Sequence, residues 1–190
     1  MTSNAFQVDE SRPWFSDEAG WPKKVPKNID FPLMTLGEMF DEAARQHHND
    51  RLGWFLDSWM TYGEMKGHVD ALATAFHNHG MRKGDVMALL LPNSFQYIMC
   101  YFACAKLGVI ISGVNPTYKP GEILHQLKTV NAKALVVLDA LYATAIEPII
   151  SQSGIEFLVH TNVADFLPPV KQILGKLLKK VPTGPVPRHS

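Results

Sequence analysis

Two short turns carry the side chains best placed to meet a ligand: Pro92-Asn93-Ser94 and Asn115-Pro116-Thr117-Tyr118. The other reactive residue types are explained more simply. Eight histidines are scattered; His47-His48 and His77/His79 fall near helix ends, where solvated or capping roles suffice. His125, inside the helix that follows Pro120, is the one histidine weighed as a ligand contact. Cys100 and Cys104 lie four apart on one helix, a spacing wrong for an intrahelical disulfide, and two ligands do not build a zinc site. They read as small buried residues of a reducing compartment. Asp139, Glu122 and Glu64 read as helix-start carboxylates, not a catalytic pair. No G-x-G-x-x-G, G-x-x-x-x-G-K-[ST] or G-x-S-x-G occurs, so the residues alone name no nucleophile, base or metal cage.

The elements that must position the two turns are three apolar runs, Val86–Leu91, Val109–Val114 and Ala134–Leu138, separated by two helix-like segments. None of the runs alternates apolar with polar, so each reads as a strand buried on both faces. Strands of that kind separated by helices imply βαβ units: an α/β fold with a mostly parallel layered sheet flanked by helices. Ligands collect beyond the carboxyl ends of such strands, where both turns fall.

The chain divides by composition into three parts. Residues 1–34, rich in proline and tryptophan, read as an extended arm pinned by its aromatic rings. Residues 35–165 form the α/β body. Thr35-Leu36-Gly37-Glu38 and Thr61-Tyr62-Gly63-Glu64 both fit a capping box. Leu36, Met39, Phe40, Ala43 and Ala44 share one helical face after the first; Met65, Val69, Leu72, Ala73 and Phe76 share one after the second. Leu52–Leu56 reads as a short strand with a turn near Asp57-Ser58. Ser94 caps a helix to Leu107 whose inward stripe is Phe95, Ile98, Met99 and Phe102. Asp139 caps a further helix to Ser153-Gly154, broken at Pro148, and a fourth strand covers Ile155–Val159. Residues 166–190 read as a basic amphipathic segment, Val170–Val181, and a proline-rich linker with no closing element. There Ile173, Leu174, Leu177 and Leu178 face one way among Lys171, Lys176, Lys179 and Lys180, a pattern suited to peripheral membrane contact. A net charge of zero, from 18 basic and 18 acidic residues, gives no footprint for nucleic acid. No stretch reads as a signal peptide or a membrane span, so the expected location is cytoplasmic, extending to the inner face of the membrane.

Lys83-Gly84-Asp85-Val86, Leu91-Pro92-Asn93, Ala105-Lys106-Leu107-Gly108 and Val114-Asn115-Pro116-Thr117-Tyr118, in that order, resemble the adenylate-forming superfamily. The run from Asn115 to Leu127, Thr61-Tyr62-Gly63-Glu64 and the tail Leu174–Pro182 are most similar to long-chain fatty-acid–CoA ligases. The resemblance implies a two-step reaction. A fatty acid attacks ATP, with Mg2+, to give an acyl-adenylate and pyrophosphate; CoA then displaces AMP to give the thioester. It also implies that the phosphate loop, adenine motif, ribose aspartate and catalytic lysine lie beyond Ser190, leaving this chain without catalytic residues and inactive alone. By the same resemblance Asn115, Pro116 and Thr117 fall on the side where CoA enters, with Asn93 a second candidate; the plain alternative for Asn115-Pro116 is a turn and helix entry. A medium-chain or aryl-acid ligase, and a non-catalytic module that forms a homodimer or pairs with a separate catalytic half, are the competing readings.

Overall fold

The structure, a computed structural model, describes residues 9–16, 18–27, 31–168 and 184. The expected amphipathic segment Val170–Val181 lies outside the described residues. The chain forms two compact units, Met1–Thr35 and Leu36–Ser190. In the first, a single helical turn, Pro13–Phe15, starts at proline. Phe15 is buried edge-on against Trp21, with centroids 4.6 Å apart, and the Trp21 indole N–H donates to the Val25 carbonyl at 2.9 Å.

The second unit is built on a four-stranded sheet of order β4-β3-β5-β6: β3 Val86–Leu90, β4 Ile110–Gly113, β5 Ala134–Leu138 and β6 Phe157–Thr161. Every pairing in it is parallel. A separate antiparallel hairpin joins β1 Arg51–Phe55 to β2 Ser58–Thr61. The longer helices of this unit are α1 Leu36–Gln46, α2 Tyr62–Asn78, α3 Phe95–Leu107 and α4 Pro120–Thr129, with short helical turns between Asp139 and Ser153. The central strands show why an unbroken apolar run is needed. Met87, Leu89, Ala134 and Val136 join one core with α1, α2 and α3. Ala88, Leu90, Leu135 and Val137 join a second core with α4 and the segment after β5. Successive strand side chains point to opposite faces, and both faces are covered.

β5 matches the expected Ala134–Leu138, and β3 and β4 each lie within theirs. β4, however, is not buried on both faces: among the described residues it is an edge strand paired with β3 alone, and Ile110 is 55% exposed. The fourth strand begins two residues later than expected. Gly154 takes a left-handed conformation (φ 76°), and Ile155 and Glu156 serve the turn that hands the chain to Lys133 before pairing starts. β2 was not expected. Its turn has Leu56 and Asp57 at φ 47° and 64°, the primed hairpin geometry, without the Asn-Gly or Asp-Gly that normally advertises it.

Thr61 caps α2 as expected: the Glu64 N–H donates to its hydroxyl at 3.2 Å, and the Thr61 N–H donates to the Glu64 carboxylate at 2.8 Å. Met65, Val69 and Phe76 are buried beneath that helix. α1 is turned from its expected face. Gly37, Phe40 and Ala44 are buried, while Leu36 and Met39 are about half exposed. The reason is a close approach: a Cβ on Gly37 would lie 3.1 Å from the Lys106 Cα, so the glycine face meets α3. Phe40 then stacks on Phe102 at 4.3 Å. Phe95 and Met99 are buried under α3, with Ile98 and Phe102 half-buried. The segment from Asp139 to Ser153 is broken at Pro148, but its cap is Leu138 and Asp139 is the first helical residue. Among the described residues no helix is long and apolar enough to cross a membrane.

Candidate functional site

Parallel strands align their carboxyl ends, so the loops after β3, β4, β5 and β6 emerge along one edge of the sheet. β3 runs left into β4 through α3, and β4 returns across β3 into β5 through α4 on the opposite face. Neighbouring β3 and β5 therefore feed connections in opposite directions. A crevice opens where such connections part.

After β3, Ser94 caps α3, its hydroxyl accepting from the Tyr97 N–H at 3.4 Å, and Asn93 stands exposed beside it. Asn93 borders a depression of about 400 Å³ walled by Trp54 and Phe55 of the hairpin and by Phe95, Tyr97 and Ile98 of α3. Tyr97 also reaches the next strand. A Cβ on Gly113 would lie 2.9 Å from its hydroxyl, so the glycine at the end of β4 makes room for the phenol.

After β4, Asn115, Pro116 and Thr117 form one turn. The Asn115 side-chain oxygen accepts from the Thr117 N–H at 3.0 Å and from the Thr117 hydroxyl at 2.9 Å. The Tyr118 N–H donates to the Asn115 carbonyl at 3.0 Å. This is an Asx-type turn, set rigidly ahead of α4. The Gln126 amide fixes the helix to β4 by donating to the Ser112 hydroxyl and the Gly113 carbonyl, both at 3.0 Å. Asn115 and Thr117 are exposed and Pro116 is half-buried. The structure thus sets Asn93 and the Asn115 turn on adjacent strand ends, Leu89 pairing with Gly113. It does not bring them into one cavity, because the depression beside Asn93 does not include the turn.

Sequence reasoning missed a third group at the same edge. The buried Gln96 amide donates to the Asn162 carbonyl at 2.7 Å, and the Asn162 amide donates to the Asp139 carboxylate at 2.8 Å. Asp139 also accepts from the Ala140 N–H at 2.7 Å, and Asn162 caps the turn Val163–Phe166 through the Ala164 N–H at 2.7 Å. The network ties α3 to the ends of β5 and β6. Its members are 66 and 23 residues apart, and no local pattern announces such a contact.

Among the remaining candidates, the two cysteines and Glu122 have structural roles. Cys100 and Cys104 are free thiols, and burial pushes both up to about 12, so neither is a nucleophile at neutral pH. His125 lies exposed on α4 beside Tyr118 and Glu122. Glu122 accepts from the Lys119 N–H at 2.8 Å, as a helix-start carboxylate does. Among the described residues no three His, Cys, Asp or Glu side chains converge as a metal site would require.

A doubly covered parallel sheet with polar turns along its carboxyl edge defines an α/β domain of the class whose ligands collect at strand ends. Residues 40–185 match the family described as "AMP-binding enzyme", and the chain belongs to that family. It is similar to the long-chain-fatty-acid–CoA ligase of Bacillus subtilis (strain 168), at 27% identity over 173 residues, 91% of this chain and 30% of the relative. It is also similar to a mitochondrial medium-chain acyl-CoA ligase of Bos taurus, at 33% identity over 112 residues, 54% of this chain and 17% of the relative. Among solved structures, a long-chain-fatty-acid-CoA ligase from Archaeoglobus fulgidus superposes with a TM-score of 0.63 at 25% identity, covering 70% of this chain and 28% of that one. The chain spans about 30% of the length of the first of these curated relatives.

Proposed function

We propose that this chain supplies one part of an ATP-dependent long-chain fatty-acid–CoA ligase, which converts fatty acid, ATP and CoA to acyl-CoA, AMP and pyrophosphate through an acyl-adenylate. The observation that carries the reading is a likeness to such a ligase along 91% of the chain, together with the ordered motifs from Lys83 to Leu127. Adenylation makes chemical sense of the family: a carboxylate is a poor electrophile, and AMP is a far better leaving group than oxide. ATP and Mg2+ belong to that reaction in the complete ligase, and the familiar phosphate-loop motifs do not occur in this sequence. The chain alone is inactive.

CoA is the one cosubstrate for which this chain offers residues. The exposed Asn115-Pro116-Thr117 turn, at the carboxyl end of β4, is held in one conformation by its own hydrogen bonds, and Asn93 stands on the neighbouring strand end. In the complete ligase, Asn115→Ala releases Thr117 and raises the KM for CoA several-fold while sparing the KM for ATP. An unchanged KM for CoA removes the turn from the site.

A medium-chain substrate is the second reading, favoured by the 33% identity to the bovine relative. Competing palmitate against octanoate and benzoate in the complete enzyme separates the two, the first reading requiring the largest kcat/KM for palmitate. Membrane contact through Val170–Val181 belongs to the same proposal, and failure of the chain to sediment with anionic vesicles ends it. Self-association as a homodimer is tested by sedimentation, where a clean monomer contradicts it.

A further inference from the structure

Gln126 belongs to the middle of α4, yet its side chain is committed to the strand end that launches the Asn115 turn. Gly113 is the last residue of β4, and the Val114 N–H that follows donates to the Leu89 carbonyl of β3 at 2.9 Å. A planar trans peptide sets its C=O opposite its N–H. The Gly113 carbonyl therefore points to the other edge of β4, where no strand lies among the described residues. Gln126 meets it there. A carboxamide carries two N–H donors, and these reach the Gly113 carbonyl and the Ser112 hydroxyl, both at 3.0 Å.

What these two bonds add is register. Ile123 and Leu127 are buried beneath α4, but apolar contacts are non-directional: they hold the helix on the sheet without fixing its slide along β4. The bonds inside the turn are local too, Thr117 donating to Asn115 and Lys119 to Glu122 at the helix start. They shape the segment 114–119 without saying where it stands. Gln126 ties the strand before that segment to the helix after it, from 13 residues along the chain.

We propose that Gln126 is a positioning residue for CoA: it acts through the Asn115 turn, setting where that turn stands at the carboxyl edge of the sheet. The proposal rests on the reading of the turn as the CoA side. The probe is CoA, titrated calorimetrically into the complete ligase and varied in steady-state assays. Gln126→Met keeps an unbranched, helix-favouring side chain and removes both donors. Its Kd and KM for CoA rise about five-fold, the factor of one neutral hydrogen bond, while kcat at saturating CoA and the KM for ATP are unchanged. Added to Asn115→Ala, it weakens CoA no further, since effects that run through one another do not add. Ser112→Ala removes one of the two partners and gives a smaller rise in the same direction; it decides if Gln126→Met does not fold. A raised Kd in Asn115→Ala with none in Gln126→Met or Ser112→Ala overturns the positioning role alone. An unchanged Kd in all three removes the turn and its tie together. Effects that multiply in the double variant make Gln126 a packing residue and also overturn the proposal.

Discussion

Lys106 is the one charge on α3, and replacing it tests how three helices are held together. Its ammonium meets Asp41 of α1 at 2.6 Å and also pairs with Asp70 of α2. Lys66 bridges the same two carboxylates, at 2.9 Å and 2.7 Å. The Lys106 side chain is 17% exposed, while Asp41 and Asp70 are 41% and 45% exposed. Lys106→Met keeps the apolar stem and removes only the charge. Exposed pairs contribute about 0–1 kcal/mol, and severing a buried pair costs about 3–5 kcal/mol. Carboxylates this exposed, still holding Lys66, place the loss near 2 kcal/mol at pH 7. With an m-value of about 2 kcal/mol/M, the urea midpoint falls by about 1 M.

The pH dependence has a definite sign. Burial pushes the Asp41 and Asp70 carboxyls up, but hydrogen bonds from Lys106 and then Lys66 outweigh it, leaving both below their ordinary 3.8. A depressed carboxyl contributes stability that is fully present above the unfolded value and is lost as pH falls through the folded one. The gap between wild type and Lys106→Met is therefore largest at neutral pH and narrows below about pH 4. Urea melts followed by circular dichroism at pH 7 and pH 3 read it directly. A gap under about 0.5 kcal/mol at pH 7, the scale of an ordinary surface substitution, or one that stays constant to pH 3, refutes the clasp.

Two further predictions concern buried groups. With thiols pushed up to about 12, Cys100 and Cys104 resist a disulfide-exchange reagent at pH 8 and react only as urea unfolds the chain; rapid labelling of the native protein contradicts their burial. Asn162→Ala leaves the buried Asp139 without its amide donor and uncaps the turn Val163–Phe166, so it costs about 1–3 kcal/mol in the same melts. A neutral result there means the network is not structural.

The central strands were readable because burial on both faces leaves a continuous apolar run, and Ala134–Leu138 shows it in its purest form. The caps at Thr61 and Ser94 were readable because their partners lie three residues away. What escaped was set by distant neighbours. That β4 is an edge depends on strand order, which no local pattern encodes. The face α1 buries depends on Gly37 meeting the backbone of α3, and hydrophobic periodicity gives a glycine no weight. β2 escaped because Leu56-Asp57 adopts a turn that its residue types do not advertise. The Asn115 turn was legible from its proline at a strand end, while the side-chain bonds that hold it came only with the structure. The Gln96–Asn162–Asp139 network was not, since it joins three elements through single hydrogen bonds.

The most direct test of the central claim is acyl-CoA formation by the complete gene product that carries these residues, isolated from its source cell and supplied with ATP, Mg2+, CoA and palmitate. The account predicts palmitoyl-CoA and AMP in equal amounts, with no product when either ATP or CoA is withheld. A complete product that forms neither acyl-adenylate nor acyl-CoA from palmitate, octanoate or benzoate contradicts it.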